Sequence, residues 1–255
     1  MAEEAKIPVF SINDAFEILT NLGTEQLEQL ILVGGQAVAF WIARYHIADP
    51  KRVATRDIDL LLSDSNAVVA DCAIDLQGTL LVVKGARTPD VARIVTRFHG
   101  ISLDIDFLSS LHGIRKPEVI QSKLPAPDEQ TRGKSIYVMH PVLALASRLF
   151  NTFELEGRLT AENLARLRFS VQAVHAYLLE QLSAGEEATR KDVLPSIEKI
   201  FKLALSPSGV KAWREHEIDV VRAVPNTSEL SNSSPKLFVE KRLPQMFRNL
   251  RKKRE

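Results

Sequence analysis

The segment Thr55-Arg56-Asp57-Ile58-Asp59-Leu60-Leu61-Leu62 constrains this chain more than any other. It reads as a strand: an apolar, β-compatible run closed by Ser63-Asp64-Ser65. Side chains alternate faces along a strand, so Asp57 and Asp59 point one way and Ile58 and Leu60 the other. Two carboxylates on one face repel, and burying either unpaired is costly. A hard divalent cation with oxygen ligands would neutralise them. Ile101-Ser102-Leu103-Asp104-Ile105-Asp106-Phe107-Leu108 repeats the arrangement, with Asp104 and Asp106 sharing a face. If the two strands are neighbours in one sheet, three or four carboxylates converge on one spot.

Upstream, Leu30-Ile31-Leu32-Val33 predicts a short buried strand, Gly34-Gly35 a turn, and Gln36 to Ala43 a helix. That order suits phosphate. Glycine admits close backbone approach, and a helix N-terminus offers N–H groups and a favourable dipole. It is neither the P-loop, which ends in Gly-Lys-Ser/Thr, nor the dinucleotide fingerprint, which has a third glycine. Arg56, just before the first aspartate, is a candidate phosphate contact.

The rest divides in two. Ser11-Ile12-Asn13-Asp14 predicts a capped helix running to about Leu22. Asp64 to Gln77 predicts a helix, Thr79 to Val83 and Val91 to Phe98 strands, and His99-Gly100 a hairpin turn into the second acidic strand. Lys134 to Met139 predicts a last strand, and Lys134 is a candidate triphosphate contact. After His140-Pro141 the pattern is helical: Val142 to Phe153, Ala161 to Leu182, Lys191 to Leu205, Gly209 to Ala223 and Leu237 to Leu250. Pro225 to Pro235 reads as a linker. The expected organisation is an α/β domain over 1–138 and a helical domain over 139–255.

Bulk properties exclude several classes. A net charge of +1 selects no partner, so nucleic-acid affinity needs a local patch. One cysteine, Cys72, rules out an internal disulfide and a cysteine-based zinc site. His99, His112 and His140 do not stand at metal-ligand spacing, and Trp41 lies in an apolar run. The acidic first residues lack an apolar core, so no signal peptide is expected. The apolar stretch Leu30 to Ala43 is too short to span a bilayer, so no membrane association is expected and a cytoplasmic protein is. Lys241, Arg242, Arg248, Arg251, Lys252, Lys253 and Arg254 form the candidate patch for RNA phosphates.

The ordered motifs Leu32-Val33-Gly34-Gly35, Arg56-Asp57-Ile58-Asp59-Leu60 and Leu103-Asp104-Ile105-Asp106-Phe107-Leu108 resemble the polymerase-β-like nucleotidyltransferase superfamily. The Gly-Gly-Gln-Ala form and the helical C-terminal half look like the AbiEii-type and related bacterial nucleotidyltransferase-like proteins, over roughly residues 30 to 150. The resemblance implies an α/β (α+β) nucleotidyltransferase fold: a mixed sheet flanked by helices, then an all-helical C-terminal region. It implies that Asp57 and Asp59 bind two Mg²⁺ ions that also hold a nucleoside triphosphate such as ATP. A third catalytic carboxylate serves the metal that activates the attacking hydroxyl. Asp104 and Asp106 are both candidates, and the run Asp106-Phe107-Leu108-Ser109-Ser110 looks more like the relatives' pattern.

Many relatives carry serine after the first glycine. Here Gly34, Gly35 and the Gln36 amide would have to hold phosphate instead. Relatives also place polar residues on the first helix after His140-Pro141 against the nucleotide, which makes Arg148 and Asn151 candidates. The implied activity is transfer of a nucleotide to a hydroxyl of a macromolecule, RNA (tRNA included) or protein, in a toxin or defence component with a cognate antitoxin. Transfer to a small molecule, as in aminoglycoside or lincosamide nucleotidyltransferases, and a non-catalytic nucleotide-binding module are the alternatives.

Overall fold

The computed structural model describes residues 9–49, 52–64, 67–83, 89–231 and 237–255. The chain divides into two compact units, 1–144 and 145–255.

The first unit is built on a mixed seven-stranded sheet: β1 Leu30–Leu32, β2 Asp57–Leu62, β3 Thr79–Val82, β4 Asp90–Phe98, β5 Ile101–Leu108, β6 Leu124–Pro125 and β7 Tyr137–Val138, in the order β3-β4-β5-β2-β1-β7-β6. Its helices are α1 Ile12–Leu19, α2 Thr24–Glu28, α3 Gly34–Arg44, α4 Val68–Asp75, α5 Lys116–Ser122 and α6 Asp128–Thr131. The expected capping box starts α1. The Ser11 side chain accepts from the Asp14 N–H at 3.3 Å, and the Asp14 carboxylate accepts from the Ser11 N–H at 2.7 Å. Its apolar stripe, Ile12, Ala15, Phe16 and Leu19, is buried, with the Phe16 ring edge-on to Phe40 of α3. α1 stops three residues before the expected Leu22.

The two acidic strands are neighbours. β2 and β5 run parallel, with Asp57 opposite Asp104 and Asp59 opposite Asp106. Ile58, Leu60 and Ile105 on the other face are buried at 1% exposure or less. Burying that face fixes the register, because a one-residue slip would put carboxylates in the core. The β4–β5 hairpin turns at His99 and Gly100, both at positive φ (49° and 79°), as a two-residue turn between twisted strands requires. Its register carries Arg93 opposite Asp106.

The division between units falls inside α7, Pro141–Glu154. The second unit continues with α8 Ala161–Ser183, α9 Glu186–Ala188, α10 Leu194–Leu205, α11 Pro207–His216, α12 Thr227–Ser231 and α13 Leu243–Arg254. π-helical turns over Thr189–Val193 and Phe238–Arg242 lead into α10 and α13, each of which carries a proline in its first turn. Several expectations shift. The segment expected as one helix over Gly209 to Ala223 breaks at Glu217, which is left-handed (φ 56°), and resumes as a 3₁₀ turn over Val220–Ala223. The expected linker contains α12, and part of it lies outside the described residues. The basic run at the end is the last turn of α13. α5, β6 and α6 carried no clear periodicity and were not expected. No helix among the described residues is long and apolar enough to cross a membrane.

Candidate metal centre

Strand alternation and the parallel register put Asp57, Asp59 and Asp106 on one face. One carboxylate oxygen from each lies within 4.8 Å of the others. Two oxygens on opposite sides of one Mg²⁺ stand about 4.2 Å apart, from bonds of about 2.1 Å. The donor set therefore fits a hard cation with small side-chain adjustment: three oxygen donors, two of them half-buried and Asp106 only 7% exposed. Asp104 is not a member of this cluster.

The Gly-Gly turn abuts the same spot. Val33 leaves β1 by donating its N–H to the Asp59 carbonyl at 3.0 Å, and α3 begins at once. Gly34 is left-handed (φ +59°), and a Cβ there would lie 1.9 Å from Asp59 Oδ2. The glycine is required twice, by its backbone angle and by the carboxylate occupying that volume. Val33, the N-cap of α3, makes no side-chain capping bond. The positive end of the helix is thus presented beside the carboxylates, an arrangement that favours anions such as phosphate.

Gln36 is placed differently from the expectation. Its side chain is fully buried. The amide donates to the Phe10 carbonyl (3.2 Å) and to Thr55 Oγ1 (2.7 Å), and the Thr55 hydroxyl donates to the Asp57 carbonyl (2.7 Å). Reaching phosphate would break a buried network, so the Gln36 side chain steadies the entry to β2, while its backbone N–H stands in the first turn of α3. Arg56 is exposed in the bend before β2, one residue out of phase with the aspartates. The Lys134 ammonium donates to the Leu22 carbonyl at 2.6 Å, just beyond the end of α1. His140 Nδ1 accepts the Val142 N–H in the first turn of α7, and Trp41 is buried and donates to the Met139 carbonyl. Arg148 and Asn151 belong to the second unit, where Arg148 donates to Asn163 Oδ1 of α8 at 3.2 Å.

Arg93 of β4 was missed by the sequence reading. Its Nε and Nη2 donate to the two oxygens of Asp106 at 2.6 and 3.2 Å, and its Nη1 donates to Asp104 Oδ2 at 3.0 Å. The signal was present: counting back from the His99-Gly100 turn in a two-residue hairpin sets Arg93 opposite Asp106. Burial pushes the Asp106 carboxyl above its ordinary range. The Arg93 hydrogen bond and charge partly offset this, and the charges of Asp57 and Asp90 add to the rise. Arg93 is correspondingly held charged by its bond to Asp106.

No protein-family model matches the chain, and no curated protein matches it. Two solved structures are similar in outline. JHP933 from Helicobacter pylori aligns over 97% of this chain and 100% of its own, at 14% identity and a TM-score of 0.42. The Megavirus polyadenylate synthase aligns over 71% of this chain at 11% identity and a TM-score of 0.41, and the match spans 38% of the viral protein.

Proposed function

We propose that the protein is a metal-dependent nucleotidyltransferase that moves a nucleoside monophosphate from a triphosphate to an acceptor hydroxyl. One observation carries the reading: three carboxylates from two parallel strands gather within 4.8 Å on one face, and a glycine turn opening a helix lies against one of them, Asp59.

Each part has a task. Asp57 and Asp59 would hold cations that share the triphosphate, and Asp106 would complete the set on the side of the acceptor. Two divalent cations, when bound, neutralise attacking and leaving oxygens in an in-line displacement, which is what phosphoryl transfer chiefly needs. The backbone of Gly34 and Gly35 and the dipole of α3 would receive the phosphate tail. Gln36, through Thr55, holds the strand that bears Asp57. Arg56, Arg148 and Asn151 remain candidate nucleotide contacts. The acceptor we favour is a macromolecule, RNA (tRNA included) or protein, with a role in a toxin or defence system and a cognate antitoxin. The support for RNA is the exposed basic side chains along α13.

The test is label transfer. Purified protein with Mg²⁺ and each α-labelled triphosphate is incubated with total RNA, protein and small-molecule acceptors, alongside the Asp57→Ala, Asp59→Ala double variant. Label on an acceptor with the wild type and none with the variant is expected. No transfer to any acceptor class would sink the reading.

A further inference from the structure

The geometry points to Arg93 and Asp104 acting together as a clamp that aims the Asp106 carboxylate at the cation shared with Asp57 and Asp59. This rests on the reading of the triad as a metal centre. It gives Asp104 a positioning task in place of the catalytic or metal-binding one expected of it.

A guanidinium is a rigid planar fork. Two parallel N–H donors taking both oxygens of one carboxylate fix that carboxylate's plane, which a single ammonium cannot do. Arg93 grips Asp106 in this way, with Nε on Oδ1 at 2.6 Å and Nη2 on Oδ2 at 3.2 Å. Each oxygen has a second lone pair, so gripping both still leaves electron density for a cation. The fork must itself be held, because an arginine side chain has several free torsions. Asp104 supplies the hold: its Oδ2 accepts Arg93 Nη1 at 3.0 Å. Asp104 and Asp106 stand two residues apart on β5 and so share a face, and the β4–β5 register sets Arg93 directly opposite Asp106. One planar group is thereby pinned at three points by two carboxylates of one strand.

A competing account uses the charge alone. Arg93 would then be a counter-ion that neutralises Asp106 and repels an incoming cation, and any positive side chain at position 93 would serve. The two accounts part on a variant that keeps the charge and loses the fork.

The experiment measures Mn²⁺ affinity by electron paramagnetic resonance titration, without nucleotide, on the full chain. Melting temperature is recorded for every variant. Wild type should bind Mn²⁺, and Asp59→Asn should abolish it. Arg93→Lys should raise the Mn²⁺ dissociation constant about 10–100-fold, the range for residues that orient metal ligands. Asp104→Ala, whose side chain is partly exposed, should fold normally and shift affinity the same way by a smaller factor. Wild-type affinity in Arg93→Lys, or tighter binding in either variant, overturns the clamp and leaves the metal centre standing. Weaker binding in Arg93→Lys with none of it in Asp104→Ala removes Asp104 from the clamp. A wild type that binds no Mn²⁺, or whose binding survives Asp59→Asn, overturns the metal centre and the clamp together.

Discussion

Gly34 is the residue on which strand, helix and carboxylate meet. Alanine there would need a left-handed backbone and a methyl group 1.9 Å from Asp59 Oδ2. The backbone term costs about 1–3 kcal/mol for a non-glycine residue held in such a region. The clash must be relieved by moving Asp59. Gly34→Ala should therefore lower the melting temperature by several degrees and also weaken Mn²⁺ binding. Retained Mn²⁺ affinity in a folded Gly34→Ala protein would mean that the turn and Asp59 are not coupled. Cys72 offers a check on the core. Burial pushes its thiol up to about 12, aided by the nearby Asp75 and Asp71 charges. The thiolate is the reactive form, so dithionitrobenzoate at pH 8 should label the folded protein far more slowly than the urea-unfolded protein. Fast labelling of the native state would mean that α4 opens.

At the scale of elements, the acidic strands and the glycine turn were legible because both rest on local rules: alternation along a strand and the conformational range of glycine. The register joining β2 to β5 was conditional in the sequence, since parallel neighbours are set by distant chain segments. Arg93 was recoverable from the hairpin turn, yet nothing near position 93 marks it as special. Gln36 misled for a different reason. It follows two glycines, but its side-chain partners are Phe10 and Thr55, 26 and 19 positions away. The last helix shows the same limit. Arg254 reads as part of the basic patch for RNA phosphates, whereas it donates to both oxygens of Asp219 at 2.9 and 2.6 Å and lies 4.6 Å from the Trp213 ring centre.

That ion pair has a pH signature. Burial pushes the Asp219 carboxyl up, but hydrogen bonds from Arg254 and the Val221 N–H outweigh it, and the net shift is downward. A depressed carboxyl contributes stability that is present above its unfolded value, near 3.9, and is lost as pH falls through its lower folded value. Arg254→Ala should cost about 1–3 kcal/mol at pH 7, the worth of hydrogen bonds to a charged partner. The difference from wild type should shrink as pH drops below about 4. Equal urea midpoints at pH 7 would show that the end of α13 is not tied down.

For the whole molecule, a net charge of +1 conceals an uneven distribution. The carboxylates converge on one face of the first unit's sheet, while Lys241, Arg248, Arg251, Lys252 and Lys253 are exposed on and before α13 in the second. Arg242 and Arg254 are engaged with Glu198 and Asp219, so they belong to the fold and are poor probes of an RNA interface. This separates two experiments that the sequence alone would merge. Cutting the chain after Leu250 deletes Arg254 and loosens α13, so weaker RNA binding would follow from damage to the fold as readily as from the missing charge. Replacing Lys241, Arg248, Arg251, Lys252 and Lys253 with glutamine keeps every salt bridge described above; besides exposed charge it removes the Arg248 Nη2 hydrogen bond to Gln245 Oε1 at 2.7 Å on the surface of α13. If RNA is the acceptor, these variants should bind it more weakly, and the slope of log affinity against log salt should flatten by about 0.7 for each single-strand phosphate no longer neutralised. Mn²⁺ affinity, measured on the same variant, reports on the carboxylates of the first unit, none of which is altered. An unchanged RNA slope in the glutamine variant would remove α13 as the RNA surface while leaving the carboxylate centre untouched.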